Sequence, residues 1–267
     1  MNIVPLSLHM ESCATREEMN ANVRASVARG YEPINGHLMA YKGSVSVVGA
    51  GPSIERSWRT LTGDVLAINS ALGFLLSKGV VPRFHMVWDA SPLCARFIVP
   101  PPEVTYLIGA RCHPLVFEAL KGCRVVCWHA GGDHNIAELL EELSLVEPMV
   151  NGGSAGVTRA LYLVAALGYR DIHVHGGDSS YSEDGRTHVR GSVVEEKDLE
   201  ILVGAENPVR FRTTPEWCAQ VEEFKQIMLG FEREGMTMTV HGDGMLPYVW
   251  RVLRADLDKQ CDARLAA

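Results

Sequence analysis

A glycine-rich turn follows the first strongly apolar run of the chain. Gly49, Gly51, Pro52 and Ser53 come directly after SVSVV. Glycines let a backbone approach a phosphate closely, and the N–H groups that begin the next helix favour an anion. The turn departs from the dinucleotide fingerprint GxGxxG, because Ile54 stands at the third glycine position, and no GK[ST] of a P-loop follows. It predicts a phosphate or nucleotide site, or else only a tight connection between strand and helix.

A second glycine-rich turn and two polar residues repeat this arrangement. Gly152, Gly153 and Ser154 precede a strongly apolar helical segment, and Asn69 and Ser70 end the run DVLAI. A helix N-terminus suits an anion or the ribose of a nucleotide, and amide and hydroxyl groups supply hydrogen bonds to either. Small residues also let a helix pack closely on a sheet. A ligand site and close packing are therefore both open.

Further titratable residues end or line predicted strands. Asp89 closes FHMVWD, where a carboxylate could bind a metal, a ribose hydroxyl or a substrate amine, or cap the next turn. His173 and His175 alternate along a strand and point the same way, so they could bind a metal or simply line one face of the sheet. His241 and Asp243 follow the last predicted strand, where they could close a pocket or form only a turn.

The densest group of polar residues is GGDSSYSEDGRTHVRG. Gly176, Gly177 and Asp178 end a strand, and Tyr181 follows them. His188 lies farther along this polar segment, where an imidazole with a pKa near neutrality could act as a general acid or base. A surface histidine without a catalytic role is the alternative interpretation.

Short apolar runs alternate with helical segments from Lys42 onward. This alternation predicts an α/β, Rossmann-like fold, a mostly parallel sheet with helices on both faces. The carboxyl ends of parallel strands form one edge of a sheet, so we expect the glycine turns and Asp178 to meet there. Residues 1–40 are predicted to be an N-terminal helical extension, and residues 41–267 a single domain. Residues 181–214 are predicted to form a long loop or lid.

One helical segment has a clear apolar stripe. Its members are spaced as the buried face of an amphipathic helix: Trp217, Val221, Phe224 and Met228. The exposed part of the same helix could form a homodimer face.

Composition restricts the class of protein. The 267 residues carry 25 basic and 32 acidic side chains, a formal charge of −7, and 47% are hydrophobic. This balance indicates a soluble globular protein without general affinity for nucleic acid, although the second half could form a local basic patch from Arg159, Arg186, Arg190, Arg210 and Arg212. No apolar run reaches the about 18 residues of a membrane helix. No secretory signal is recognisable, so we expect a cytoplasmic protein whose scattered cysteines are reduced thiols rather than zinc ligands.

The chain resembles the 6-hydroxymethylpterin diphosphokinase MptE-like superfamily in five segments that occur in the same order: GAGPS, AINSA, the stretch leading to Asp89, GGSAG and GGDSSYSEDGRTHVRG. This superfamily includes the core of the motility accessory factor (Maf) glycosyltransferases of flagellin. Its Rossmann-like core is similar to that of bacterial sialyltransferases that use CMP-activated sugars. The resemblance covers residues 43–245. It implies that a nucleotide is held by Gly49, Gly51, Ser53, Asn69 and Ser154.

The resemblance implies two possible chemistries. Diphosphokinase members transfer a pyrophosphoryl group from ATP to a pterin alcohol, with Mg²⁺ held by carboxylates. Asp89 and Asp178 would be those ligands, although WDASP supplies one carboxylate where that branch carries a DLDG-like motif. The glycosyltransferase branch carries a G-x-D segment, a tyrosine and a D-G-[RK]-[ST]-H-x-x-G loop, which Asp178, Tyr181 and His188 match. The chain has GGDSSY where the flagellin enzymes tend to have GQDLAY, so the acceptor need not be flagellin.

The favoured hypothesis is a transferase that moves a sugar from a nucleotide-sugar donor to a hydroxyl acceptor, which could be a protein, a small molecule or a modified nucleobase. The glycine-rich turns would stabilise the departing phosphate, and His188 would accept the acceptor proton. Asp178 and Asp89 complete the predicted catalytic set. Glycosyl transfer is expected to need no cofactor, whereas the diphosphokinase alternative needs Mg²⁺. A non-catalytic nucleotide-binding protein is the third hypothesis.

Overall fold

The computed structural model describes residues 13–101, 103–132, 135–189, 199–204 and 208–265, except the side chains of 260–265. The helices are α1 (Arg16–Val27), α2 (Ile54–Ser57), α3 (Ala71–Ser77), α4 (Pro114–Ala119), α5 (Ile136–Glu142), α6 (Gly156–Leu167), α7 (Pro215–Arg233) and α8 (Met245–Leu265). The strands are β1 (Glu32–Pro33), β2 (Ser44–Val48), β3 (Asp64–Ile68), β4 (Phe84–Val87), β5 (Thr105–Gly109), β6 (Arg124–Ala130), β7 (Met149–Val150), β8 (Asp171–His175), β9 (Leu199–Val203), β10 (Val209–Thr213) and β11 (Thr237–Val240).

Nine of the described strands form one parallel sheet. Its order is β1-β6-β5-β4-β3-β2-β8-β11, with β7 beside β6. From β2 to β6 the chain adds strands toward one edge, whereas β8 and β11 lie on the other side of β2. The order therefore reverses between β2 and β8. Parallel sheets open a ligand-binding crevice at such a switch point, at the carboxyl ends of the strands.

Helices cover both faces of the sheet, and the predicted α/β, Rossmann-like fold is confirmed. Val45 and Val47 of β2 belong to a hydrophobic cluster with α6, α7 and α8. Val48 belongs to the opposite cluster, with α2, α3 and α4. Successive side chains of a strand point to opposite faces, so a strand covered on both sides must be apolar almost throughout. That requirement explains why the strands were visible as short uninterrupted apolar runs.

The N-terminal segment contains a helix, as predicted, and also a strand that was not predicted. A capping box begins α1: the Thr15 hydroxyl accepts the Glu18 N–H at 3.2 Å, and the Thr15 N–H donates to the Glu18 carboxylate at 2.8 Å. Val23 of this helix packs with Leu139 of α5. Immediately beyond, β1 pairs with β6 at the edge of the sheet. Residues 1–12 lie outside the described residues.

The segment predicted as a long loop contains regular structure. Strands β9 and β10 pair in antiparallel register, with Phe211 opposite Ile201, so the loop prediction is wrong for this part of residues 181–214. The alternation in LEILV and VRFRT was the available signal. Residues 190–198 and 205–207, which include Arg190, lie outside the described residues. The C-terminal helix α8 was not predicted either.

The described cysteines are unpaired with one another, and three of them are buried. Six cysteine side chains are described, and all are free thiols: Cys13, Cys94, Cys112, Cys123, Cys127 and Cys218. Burial raises the pKa of Cys94 and of Cys127 to about 12, so both remain protonated at neutral pH. In the same ranges, no three His, Cys, Asp or Glu side chains are grouped closely enough to hold a metal ion. No described helix has the length and apolarity needed to cross a membrane.

Three histidines stack beside the switch point. His173 and His175 point to the same side of β8, as predicted, and both contact His241, which follows β11. The His175 and His241 rings are parallel, with centroids 4.1 Å apart. Neither ring nitrogen of His175 has a hydrogen-bond partner among the described residues. Burial first, and then the two neighbouring histidines, lower the pKa of His175 to about 3.

These buried neutral histidines should make stability depend on pH. Burial also lowers the pKa of His85 to about 4. Each group takes up a proton more readily when unfolded, so its stabilising effect is complete above the unfolded pKa and is lost as the pH falls toward the folded pKa. Between pH 6 and 4 we expect each histidine to reduce the free energy of unfolding by up to about 1.4 kcal/mol per pH unit. Urea denaturation at several pH values measures this slope.

The variant His175→Phe keeps an aromatic ring against His241 and removes one titrating group. Its slope should be smaller than that of the wild type by up to about 1.4 kcal/mol per pH unit, the contribution of one histidine. An unchanged slope would show that His175 does not carry the effect.

Candidate functional site

A cavity of about 300 Å³ opens at the switch point between β2 and β8, and is called here the switch-point cavity. Strand ends and the turns after them form its floor. Its lining residues are Gly49, Ala50, Gly51, Ile68, Asn69, Ser70, Gly176, Gly177, Asp178, Ser179 and Ser180 from these turns, Ser154, Ala155, Gly156 and Val157 at the start of α6, Thr187 and His188 from the following loop, and Phe97, Glu216, Trp217 and Gln220. Its volume lies at the lower end of the range for small-molecule sites.

The turns after β2 and β8 are bonded directly to each other. The Gly49 N–H donates to the His175 carbonyl, and the Gly51 N–H donates to the Gly176 carbonyl, both at 2.8 Å. A Cβ on Gly51 would lie 2.6 Å from the Asp178 carboxylate and 2.7 Å from the Gly176 carbonyl. These glycines are therefore required for contact between the two turns. The GAG pattern has this structural explanation whatever ligand the cavity takes.

Asp178 connects these turns and is almost fully buried. Its Oδ2 accepts the Ser53 N–H at 2.8 Å, and its carbonyl accepts the Leu246 N–H of α8 at 3.1 Å. Its Oδ1 is buried without a partner among the described residues. Burial raises the pKa of Asp178, and the hydrogen bonds from Ser53 oppose that rise. The carboxylate therefore joins the turn after β8 to the start of α2, while Asp178 also lines the cavity.

Asn69 has a strained backbone and a buried side-chain oxygen. Its φ is +48°, a left-handed conformation that asparagine tolerates better than most residues. His85 Nε2 donates to the Asn69 carbonyl at 2.9 Å, which supports this geometry. The side-chain Oδ1 is buried without a partner among the described residues. The amide Nδ2 lies 4.0 Å from the position of a Cβ on Gly156, beside the first turn of α6.

Ser154, predicted to contact a ligand at the start of α6, is instead bonded to another side chain of the protein. The Ser154 N–H and hydroxyl both donate to the Glu223 carboxylate of α7, at 2.8 to 3.0 Å. An internal carboxylate thus occupies the position predicted for a ligand anion. Gly156 and Val157, in the first helical turn, line the cavity, and their N–H groups have no acceptor within the helix.

Gly152 and Gly153 do not line this cavity and instead pack behind it. A Cβ on Gly152 would meet the Tyr162 ring at 2.5 Å, and one on Gly153 would meet the α6 backbone at Arg159. Close packing through small residues, the alternative interpretation of this turn, therefore explains both Gly152 and Gly153.

His188 lies at the exposed rim of the switch-point cavity. The Val189 N–H donates to the Ala50 carbonyl at 2.9 Å, so the loop is joined to the GAG turn. His188 Nδ1 lies 3.0 Å from the Thr187 hydroxyl. Surrounding protein displaces part of the hydration of the ring and lowers the pKa of His188. The imidazole is therefore neutral near pH 7 and able to accept a proton.

Sequence patterns missed part of the cavity wall. Trp217, predicted as a member of a buried stripe, is only partly buried and lines the cavity, whereas Val221, Phe224 and Met228 are in the core. The Trp217 ring packs edge-on against Tyr181, with centroids 5.3 Å apart. Phe97 and Gln220 were also missed. The available signal was Thr214-Pro215, which caps α7 and marks where that helix begins.

A second cavity, of about 650 Å³, lies beside the first and is called here the hairpin cavity. The two cavities share Asp178 and Ser180. It is lined by Pro52, Ser53, Arg56, Tyr181, Ser182, Glu183, Asp184, Arg186, Glu200, Val209, Arg210, Phe211, Arg212, Asp243 and Gly244. The predicted residues Pro52, Ser53 and Tyr181 therefore belong to this second cavity. Arg159 is buried elsewhere, against the Trp88 ring, so the predicted arginine patch is not one surface.

Asp89 lines neither of these cavities. Its Oδ1 accepts the Ser91 N–H and lies against the Cys13 thiol, each at 2.8 Å. Asp89 therefore caps the turn that follows β4, which is the alternative role considered for it. Asp89 and Asp178 are not brought to a common cavity, so these two carboxylates do not fit the Mg²⁺ site that the diphosphokinase alternative requires.

The fold and the site define a Rossmann-like α/β protein whose crevice is lined by backbone N–H groups, amide and imidazole side chains. Residues 22–184 match the family described as 6-hydroxymethylpterin diphosphokinase MptE-like, and the chain belongs to that family. Its fold is similar to the structure of a Maf glycosyltransferase from Magnetospirillum magneticum AMB-1, with a TM-score of 0.60 and 16% identity over 85% of this chain. The chain spans 36% of that protein. Comparison with the curated proteins gives no match. Both descriptions name transferases.

Replacing Gly51 should destabilise the junction of the two turns. In Gly51→Ala, the added Cβ collides with the Gly176 backbone and the Asp178 carboxylate. We expect a loss of about 2 kcal/mol in the free energy of unfolding, measured by urea denaturation. The matched control is Gly230→Ala in α7, where nothing lies within 4 Å of the new Cβ. It should gain up to about 1 kcal/mol. Equal effects in both variants would contradict the steric argument.

Proposed function

We propose that this protein is a glycosyltransferase that takes a sugar from a nucleotide-sugar donor in the switch-point cavity. The observation that carries this proposal is the joining of phosphate-binding groups and a neutral histidine in one crevice. The N–H groups of Gly156 and Val157 and the amide of Asn69 lie in that crevice, with His188 at its rim. Uncompensated N–H groups at the start of a helix of this length favour a phosphate. The similarity to the Maf glycosyltransferase fold agrees with this assignment.

The reaction is a displacement at the anomeric carbon. The acceptor oxygen forms a bond to that carbon, the bond from the carbon to the phosphate oxygen breaks, and the electron pair leaves with the nucleotide. The acceptor proton passes to His188 Nε2 when Nδ1 carries the ring hydrogen and donates it to the Thr187 hydroxyl. The Asn69 amide and the first turn of α6 stabilise the charge that develops on the leaving phosphate. Asp178 acts as a positioning residue that keeps the two turns together.

The diphosphokinase reaction is a second candidate, because the family that the chain matches carries that name. It needs carboxylates that hold Mg²⁺ next to the nucleotide phosphates. The described residues place Asp178 at the cavities and Asp89 outside both of them. This separation is why glycosyl transfer is the first proposal.

A thermal-shift panel separates these functions. The full chain is heated with CMP, UDP, GDP, AMP, ATP and their sugar derivatives, each with Mg²⁺ or with EDTA. A ligand that binds only the folded protein stabilises it by about 2.7 kcal/mol at one hundred times its Kd. We expect one nucleoside mono- or diphosphate family to raise Tm, with no effect of EDTA. Stabilisation by ATP or AMP that EDTA abolishes would support the diphosphokinase, and no shift with any nucleotide would overturn both proposals.

A charge placed beside the first turn of α6 should weaken nucleotide binding. Asn69→Asp preserves the shape of the side chain and the tolerance of a left-handed backbone, but it puts a carboxylate near the donor phosphate. We expect Kd for the nucleotide found above to rise about tenfold or more at pH 7. Isothermal titration calorimetry measures it. Asn151→Asp, at an exposed position outside both cavities, is the control. An unchanged Kd for Asn69→Asp would remove Asn69 from the phosphate site.

Removing the imidazole should slow transfer without preventing donor binding. For His188→Gln we expect kcat to fall by about 100-fold or more, with donor Kd changed little. In the wild type, activity should fall as the pH drops through the lowered pKa of His188, because protonation removes the base. The measurement is the pH profile of sugar transfer, with His113→Gln as control. Retention of the wild-type pH profile by His188→Gln would show that another group takes the proton.

A further inference from the structure

The hairpin cavity has a position that suits a second substrate. It adjoins the switch-point cavity through Asp178 and Ser180. One loop contributes to both: Ser182, Glu183, Asp184 and Arg186 line the hairpin cavity, while Thr187 and His188 line the other. In a displacement reaction the acceptor must lie next to the donor, and no other cavity described above is adjacent to the switch-point cavity. Its volume is within the range for small-molecule sites.

About half of the wall of the hairpin cavity, eight of its seventeen lining residues, comes from beyond the matched family segment. That match ends at residue 184, whereas Arg186, the β9–β10 hairpin and Asp243 follow it. Most strand ends that form the switch-point cavity fall inside the match. The matched segment thus supplies the donor side and about half of the second cavity, and the later residues of this chain supply the other half. Such a division is expected where related enzymes differ in their acceptors.

The charges in this wall are balanced. Arginines and carboxylates are paired: Arg56 donates to both Asp243 oxygens at 2.5 Å, Arg210 donates to Glu200 at 2.6 Å, and Arg186 donates to Asp184 at 2.7 Å. Arg186 also donates to Glu55 at 2.9 Å, which holds the loop against α2. A wall of alternating donors and acceptors with no net positive charge does not select a polyphosphate. It matches hydroxyl groups, which donate and accept together.

Aromatic surface completes the chemistry of the cavity. Tyr181 lines it, and the Arg212 guanidinium lies over the Tyr181 ring at 4.9 Å, whereas Phe211 packs its ring into the core. Planar charged groups beside aromatic rings present polar edges and apolar faces, as a sugar ring also does.

We propose that the hairpin cavity is the acceptor site and that it binds an uncharged polyhydroxylated molecule of the carbohydrate class. This inference rests on the proposed function, because it assigns the second substrate of that reaction. It places the acceptor between the hairpin and the loop that carries His188. The hydroxyls of the acceptor replace or bridge the exposed Arg–carboxylate pairs at the rim.

Saturation-transfer difference NMR with the full chain tests this proposal. The probes are glucose, galactose, N-acetylglucosamine and lactose at millimolar concentration, with inorganic pyrophosphate and a serine- and threonine-rich peptide as competing classes. The test variant is Arg56→Ala/Arg210→Ala. These side chains are 63% and 68% exposed, so their removal should leave the fold intact. The matched control, Arg24→Ala/Arg254→Ala, removes two other paired arginines, from α1 and α8, outside both cavities.

We expect at least one saccharide to bind the wild type and the control, and its affinity to fall about tenfold in the test variant. The nucleotide thermal shift should be the same in all three proteins. Absence of saccharide binding to the wild type, or equal binding by the test variant, would overturn the acceptor site. Binding of pyrophosphate or the peptide instead, lost in the test variant, would overturn the carbohydrate class. Failure of the proposed function is distinct, since it would appear as no nucleotide shift in the wild type.

Discussion

The close approach of two turns, after β2 and β8, is the constraint on which the rest of the site depends. Strand order reverses at this point, so no crossover helix can fill the space between the two strand ends, and the chain closes it with backbone alone. Gly49 and Gly51 donate to carbonyls of the opposite turn, and no side chain larger than hydrogen fits at Gly51. The buried Asp178 carboxylate then fixes Ser53 against the same junction. The cavities lie on either side of this contact.

Local charges divide the crevice into regions with different chemistry. Glu223 accepts the hydrogen bonds that Ser154 donates, whereas the N–H groups of Gly156 and Val157 have no acceptor within α6. Burial keeps His175 neutral and thereby avoids a positive charge inside the sheet. His188 also has a lowered pKa but lies at the exposed rim. The same desolvation thus keeps one histidine neutral inside the sheet and the other neutral at the rim of the cavity.

The hairpin and α7 complete a site that the parallel sheet only begins. α7 contributes Trp217 and Gln220 to one wall, and the β9–β10 hairpin contributes Arg210 and Arg212 to the adjoining cavity. Thr213, at the end of β10, donates its hydroxyl to the Ser179 carbonyl at 2.8 Å, which joins the hairpin to the turn after β8. The hairpin is therefore attached directly to the junction of the two turns.

The sequence alone determined the parallel α/β sheet, because strands buried on both faces must be apolar and glycines must mark their ends. It also placed the turn of Gly49 and Gly51 and the residue Asp178 at one sheet edge. Tertiary structure decided the rest. Three outcomes depend on contacts between residues distant in the chain. Asp89 caps a turn and does not reach the crevice, Ser154 is bonded to Glu223, and Trp217 lies in the cavity wall instead of the core. Local patterns contain no information on such contacts, since spacing fixes which face of an element a side chain lies on but not what covers that face.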